Sequence, residues 1–211
     1  KNYYKANLSP ASASFHVAGA VTKDRAIKCI NTLNKSWKTR KAIPRKVEAG
    51  VSAPAGNVYF VDFPNAKQSV LQVGRLSLSA TDPNSNNLDF ANEILGGGSS
   101  GRLFQTLRIE KGYTYGASSF VVKFKQRAPF LVRTSVRSNA TLPSLQIIQT
   151  ILSDYGKNFG DQDVAVTKNK ILKGNTLAYE SLGAKIGTLQ EMSKYGKSSN
   201  FIEEDQQELM K

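Results

Sequence analysis

One histidine, His16, and one cysteine, Cys29, are the residues a search for chemistry meets first among 211. The zinc signatures H-E-x-x-H and H-x-x-E-H each need two histidines, and a nucleophilic triad would have to be built around His16. Metalloenzyme chemistry is therefore not expected of this chain on its own atoms. His16 stands midway along an apolar run and is read as a hydrogen-bonded core residue; Cys29, beside the apolar stripe of a helix, is read as a buried, inert thiol.

Two glycine motifs invite a nucleotide. Gly96-Gly97-Gly98-Ser99-Ser100-Gly101 matches G-x-G-x-x-G, but a dinucleotide fingerprint must follow a strand, and this one follows a helix. Gly196-Lys197-Ser198 ends like a phosphate loop, yet the position of its first glycine holds Glu191. Lys111-Gly112-Tyr113-Thr114-Tyr115 opens like the RNA-recognition octamer, whose aromatics stack on bases, but Thr114, Gly116 and Ser118 break three of its eight positions. A basic RNA-binding α+β module is kept as the rival class, and nucleic acid ranks low as a partner.

The charge is what keeps that rival alive. The chain carries 29 Lys and Arg against 16 Asp and Glu, a formal net charge of +13, with 40% hydrophobic residues. Residues 1–50 hold eleven basic and two acidic side chains. Most of those cations, Lys35 to Lys46, sit where a helix runs out into a proline-bearing connection, and there they face water and the helix dipole. No run approaches the roughly twenty apolar residues that span a bilayer, so no membrane span is expected. The chain starts on Lys1-Asn2-Tyr3-Tyr4 without Met, as expected of a piece of a longer protein, and its compartment, bacterial envelope or cytoplasm, is left open.

The elements follow from periodicity and punctuation. Ala13–Val21 reads as a buried strand, and Thr22 caps a helix whose stripe is Ala26, Ile27, Ile30 and Leu33. A polar connection occupies 39–57. Strands are expected at Val58–Val61 and Ser69–Leu78, a helix from about Asn87 to Leu95 after the Asp82-Pro83 turn, and a second from Arg102 to about Lys111. Strands at Tyr115–Phe124 and Phe130–Arg137 follow, then helices at Leu142–Phe159, Gln162–Leu182 and Ala184–Tyr195 with an acidic tail. Strands and helices each come in neighbouring pairs. The expected fold is α+β, a two-layer sandwich with a largely antiparallel sheet, in a single domain over 1–211.

The stretch from Ile94 to Gly116 carries the most information. Leu95-Gly96-Gly97-Gly98-Ser99-Ser100-Gly101-Arg102-Leu103, followed by Leu107-Arg108-Ile109-Glu110-Lys111-Gly112-Tyr113-Thr114-Tyr115, resembles the signature of the second, non-catalytic domain of the pitrilysin/insulinase zinc peptidases, which include the mitochondrial processing peptidases. The likeness extends over most of the chain through Tyr3-Tyr4, the glycine after the first run, Asp82-Pro83 and Glu180-Ser181. Two residues depart from the pattern: Gly101 replaces the second serine of the usual pair, which would weaken an N-cap, and Tyr113 stands where leucine is common.

The resemblance implies that this is one half of a clamshell. The zinc, with its H-x-x-E-H motif, would lie in a homologous domain or chain absent here, and the two halves would close on an extended peptide, either within one polypeptide or in a dimer. It implies substrate-binding roles for Arg108 and Tyr115, seven positions apart, as donors to peptide carbonyls, including one developing oxyanion charge. It also implies that Gly96, Gly97 and Gly98 let a peptide pass close to the backbone. No catalytic residue and no cofactor is expected in the chain itself, which alone would be an inactive part of a metallopeptidase. The alternative within the family is a scaffold whose peptidase role has lapsed.

Overall fold

In the computed structural model the described residues are 1–37 and 56–210. The chain divides into two compact units, Lys1–Glu48 with Leu172–Glu208, and Ala49–Ile171 with Leu209–Lys211.

The second unit carries the sheet. Its strands are β1 (Gln68–Leu76), β2 (Thr114–Val121) and β3 (Pro129–Arg137), all antiparallel in the order β1-β3-β2. β1 aligns Gln68 with Arg137 and Gln72 with Arg133, while β2 aligns Ala117 with Thr134 and Ser118 with Arg133. The alternation expected of a half-buried strand is plain in β3: Val132, Thr134 and Val136 are buried, and Arg133, Ser135 and Arg137 are exposed. In the same unit, helix α3 (Ser85–Gly96) starts after an Asp82 turn in which the Asn84 amide donates to the Asp82 carboxylate at 2.9 Å. A short helix α4 (Arg102–Phe104) runs directly into a π-helical turn, Gln105–Glu110. Helix α5 (Thr141–Asp154) follows β3. The core brings together Leu71, Leu95, Leu103, Leu107, Ala117, Val132, Val136 and Ile148, and Leu103 and Leu107 are wholly buried. Each such side chain contributes about 1.5–3 kcal/mol by leaving water. The α+β two-layer arrangement with an antiparallel sheet is as the pairing of elements suggested.

The first unit is helical among the described residues. It holds α1 (Asn2–Asn7), α2 (Lys23–Ser36), α7 (Leu182–Tyr195) and α8 (Phe201–Met210), while α6 (Asp161–Ala178) runs from one unit into the other. Thr22 caps α2 as expected, its hydroxyl accepting from the Arg25 amide at 3.3 Å. Ser181 caps α7 in the same way through Ala184, and Gly196, at φ 70°, ends it in the left-handed region. The acidic tail is helical. Lys197 joins α7 to α8, pairing with Glu191 at 2.7 Å and lying over the Phe201 ring at 4.5 Å.

Several expectations fail. Residues 13–21 form no strand, so His16, half-buried, does not sit in a sheet. Val58–Val61 belongs to no strand, its residues 79–87% exposed. In both cases a strand exists only where a neighbouring strand accepts its hydrogen bonds, and among the described residues none does. Cys29 is exposed, because no residue of α2 is buried. The connection expected at 39–57 lies almost wholly outside the described residues.

Candidate functional site

The signature segment folds into a tight relay. Helix α3 ends on Gly96, which is buried so closely against β2 that a Cβ there would collide with the amide and hydroxyl of Ser119. Asn92 and Ser119 seal that contact reciprocally: the Ser119 hydroxyl reaches Asn92 Oδ1 at 2.6 Å, and Asn92 Nδ2 donates to the Ser119 carbonyl at 3.1 Å. Gly98 carries φ 119°, a conformation L side chains rarely adopt. Gly101, also buried, would place a Cβ 2.8 Å from the Gly96 Cα. The glycine in the place of the usual serine is thus what lets α3 and α4 start and stop in contact, and its cost is the missing side-chain cap on α4.

Side chains from farther along the chain lock the relay. Lys170 of α6 ion-pairs with Glu93 and donates to the Gly97 carbonyl at 2.8 Å. Arg102 lies 2.6 Å from Asp163 and 5.0 Å over the Tyr155 ring. The Tyr155 hydroxyl donates to the Ala91 carbonyl, and burial, the largest influence, raises its pKa to about 12 against the lowering by Arg102. Neither Lys170 nor Arg102 was legible as a clamp in the sequence, since the carboxylate of Asp163 is 61 positions from Arg102 and the Gly97 carbonyl 73 from Lys170.

The π-helical turn presents Arg108. Its wider winding is sealed by the Lys111 amide donating to the Thr106 carbonyl at 3.1 Å, and Gly112, at φ 63°, then reverses the chain. The Tyr113 amide donates to the Leu107 carbonyl at 2.9 Å, and β2 begins at Thr114. The buried Thr114 hydroxyl lies 2.6 Å from the Ser135 carbonyl and accepts from the Gly116 amide at 3.0 Å, which holds the irregular register between Thr114 and Ala117. That bulge turns Tyr115 outward, 83% exposed, with the Arg108 guanidinium carbon 5.2 Å from its ring centroid.

Arg108 and Tyr115 line an open cleft of ≈ 630 Å³ with Gln68, Tyr113, Ser135 and Arg137. A neighbouring hollow of ≈ 350 Å³ shares Tyr115 and Ser135 and adds Arg133. The structure therefore brings two of the expected site residues together, while Gly96, Gly97 and Gly98 line neither hollow. Arg133 and Arg137 were not singled out in the sequence, although their period-two spacing among buried residues marks them as sharing a face. The cleft can offer a planar cation, a phenol and exposed strand backbone to a ligand.

Zinc does not fit this donor set. Among the described residues no group of three or more His, Cys, Asp and Glu side chains could hold a metal ion. Likewise, no helix is long and apolar enough to cross a membrane.

Residues 1–171 match the model of the peptidase M16 inactive domain. No curated protein sequence matches. Solved structures do. The peptidase M16 inactive domain from Pseudomonas fluorescens superposes with a TM-score of 0.79 at 22% identity, covering 92% of this chain and 46% of that one. A protease from Helicobacter pylori gives 0.77 at 16%, covering 90% and 46%. The inactive peptidase domain of a candidate zinc protease from Bordetella parapertussis gives 0.53 at 18%, covering 71% and 82%. The chain thus spans less than half the length of the first two. With the family model extending unbroken from α1 into α6, the chain belongs to the peptidase M16 inactive-domain family, a non-catalytic part of zinc protease-like proteins.

Proposed function

We propose that this domain, taken as one functional unit over residues 1–211, binds an extended peptide and completes the active site of a zinc metalloendopeptidase whose zinc motif lies in a homologous domain or a separate chain. The reading is supported above all by Arg108 and Tyr115, which share one cleft at the open side of the sheet, half-buried and exposed respectively. A guanidinium held at the wall of a cleft and a phenol beside it are donors suited to the carbonyls of a peptide whose own backbone is unpaired. Arg108 would orient one carbonyl through its planar fork, and the Tyr115 hydroxyl would hold a second. Gly96 and Gly97 serve packing, so close approach of peptide to backbone is assigned to the exposed Gly98.

The partner half is supported by the span of the similar structures, of which this chain covers less than half in the first two. Two measurements test the reading. The coding sequence of the parent protein or its neighbour should contain H-x-x-E-H. Fluorescence anisotropy with a labelled, unstructured peptide should show binding to this chain that Arg108→Ala weakens. Absence of the motif together with absence of peptide binding would leave a scaffold.

A further inference from the structure

We infer that the outer face of the sheet selects acidic peptides, with Arg133 and Arg137 as its specificity-determining residues. This rests on the peptide-binding reading above and names the substrate class it prefers. The linings of the two hollows contain Lys67, Arg108, Arg133 and Arg137 and no Asp or Glu. Arg133 and Arg137 project from the same side of β3 because Val132, Thr134 and Val136 take the buried side. Their cross-strand neighbours are neutral: Gln72 and Ser118 flank Arg133, and Gln68 faces Arg137.

Five cations elsewhere in the molecule are matched. Arg102, Lys123, Lys157, Lys170 and Lys197 each pair with a carboxylate of the chain. Among the described residues the four cations that line the two hollows have no such pair. Like charges gathered on one rigid face raise its positive potential, and a ligand carboxylate relieves that repulsion while accepting a bidentate guanidinium contact. A basic peptide would meet the same field with the wrong sign. The face is not purely ionic. Val70 is 61% exposed and Phe120 39%, so apolar side chains between the acidic ones also find contacts. Nucleic acid suits it less, because the exposed Tyr115 ring already carries a guanidinium and offers no ladder for successive bases.

The test uses the full chain and four labelled probes in fluorescence anisotropy: three peptides of equal length and equal apolar content, with Glu, Gln or Lys at the polar positions, and an oligouridylate. Affinity should fall in the order Glu, Gln, Lys, by about two- to five-fold for each guanidinium engaged, and the preference should shrink as salt rises. The double substitution Arg133→Gln and Arg137→Gln should bring the Glu and Gln peptides close together, and Arg133→Glu with Arg137→Glu should favour the Lys peptide. Both doubles should melt with the parent, since the side chains are exposed. Equal affinity for all three peptides would overturn the selectivity and leave the peptide reading standing. Failure of every peptide to bind would remove that reading and the selectivity with it. Tighter binding of the oligouridylate than of the Glu peptide would reassign the face to nucleic acid.

Discussion

The guanidinium carbon of Arg108 lies 5.2 Å from the centroid of the Tyr115 ring, although one residue belongs to a π-helical turn and the other to a strand, one residue past its start at Thr114. Gly112 makes this meeting possible, since its positive φ reverses the chain between them. The ring both holds the guanidinium and leaves the phenol free, which makes the two parts of Tyr115 separable by mutation.

Tyr115→Phe keeps the ring and removes the hydroxyl. It should leave the melting temperature unchanged and weaken peptide binding. Arg108→Ala should cost only about 0.5–1 kcal/mol of stability, the worth of an exposed cation–π contact, and should weaken binding more strongly, by up to the roughly 1.5–3 kcal/mol of a hydrogen bond to a charged group. Arg108→Lys should recover little, because an ammonium lacks the planar fork. Thermal melts and anisotropy on the same three variants check this; a loss of binding that merely tracks unfolding would make the pair scaffold.

Restoring the usual serine at position 101 should destabilise the domain. The new hydroxyl could cap α4 for about 1 kcal/mol, but its Cβ would press on the Gly96 Cα at 2.8 Å. Overpacking of that kind costs about 1–3 kcal/mol. Urea melts of Gly101→Ser and Gly101→Ala should both show lower midpoints, with Ala worse than Ser. A serine variant more stable than the parent would show that the backbone yields at no cost.

Lys170→Met should loosen the glycine loop without unfolding the domain. The ion pair with Glu93 and the bond to the Gly97 carbonyl both disappear, while most of the apolar stem stays. Hydrogen exchange should quicken at Gly101, whose amide donates to the Gly98 carbonyl, and remain slow in β3. Unchanged exchange at Gly101 would mean that the loop is held by packing alone.

Alkaline pH should expose the role of Tyr155. Its pKa is raised to about 12 from 10.0, chiefly by burial. A group whose folded pKa lies above its unfolded value stabilises fully below the unfolded pKa, and that contribution is lost as pH rises through the folded one. Stability should therefore fall from about pH 10 toward pH 12, and Tyr155→Phe should flatten that part of the profile. Phenolate absorbance followed in parallel with urea melts measures both; a variant with the parent's slope would place the loss elsewhere.

What the sequence alone determined is local or strictly periodic. Thr22 announces a helix start because its hydroxyl needs only the amide of Arg25, three residues on. The alternation in β3 announces a strand and both of its faces, and the Leu95–Tyr115 signature carries the family because its glycines and its Arg–Tyr spacing are written contiguously. The tertiary structure decided whatever depends on a distant partner. Residues 13–21 and 58–61 look like strands, yet pairing is a property of two segments, and the second is missing among the described residues. Cys29 looks buried by its helical position, but a stripe is core only when something covers it. Gly101 looks like a loosened loop until its contact with Gly96 is seen, and Lys170 and Arg102 look like ordinary surface cations. Arg133 and Arg137 are predictable neighbours on one face; that among the described residues no carboxylate pairs with them is a fact of three dimensions, because charge is balanced through space and not along the chain.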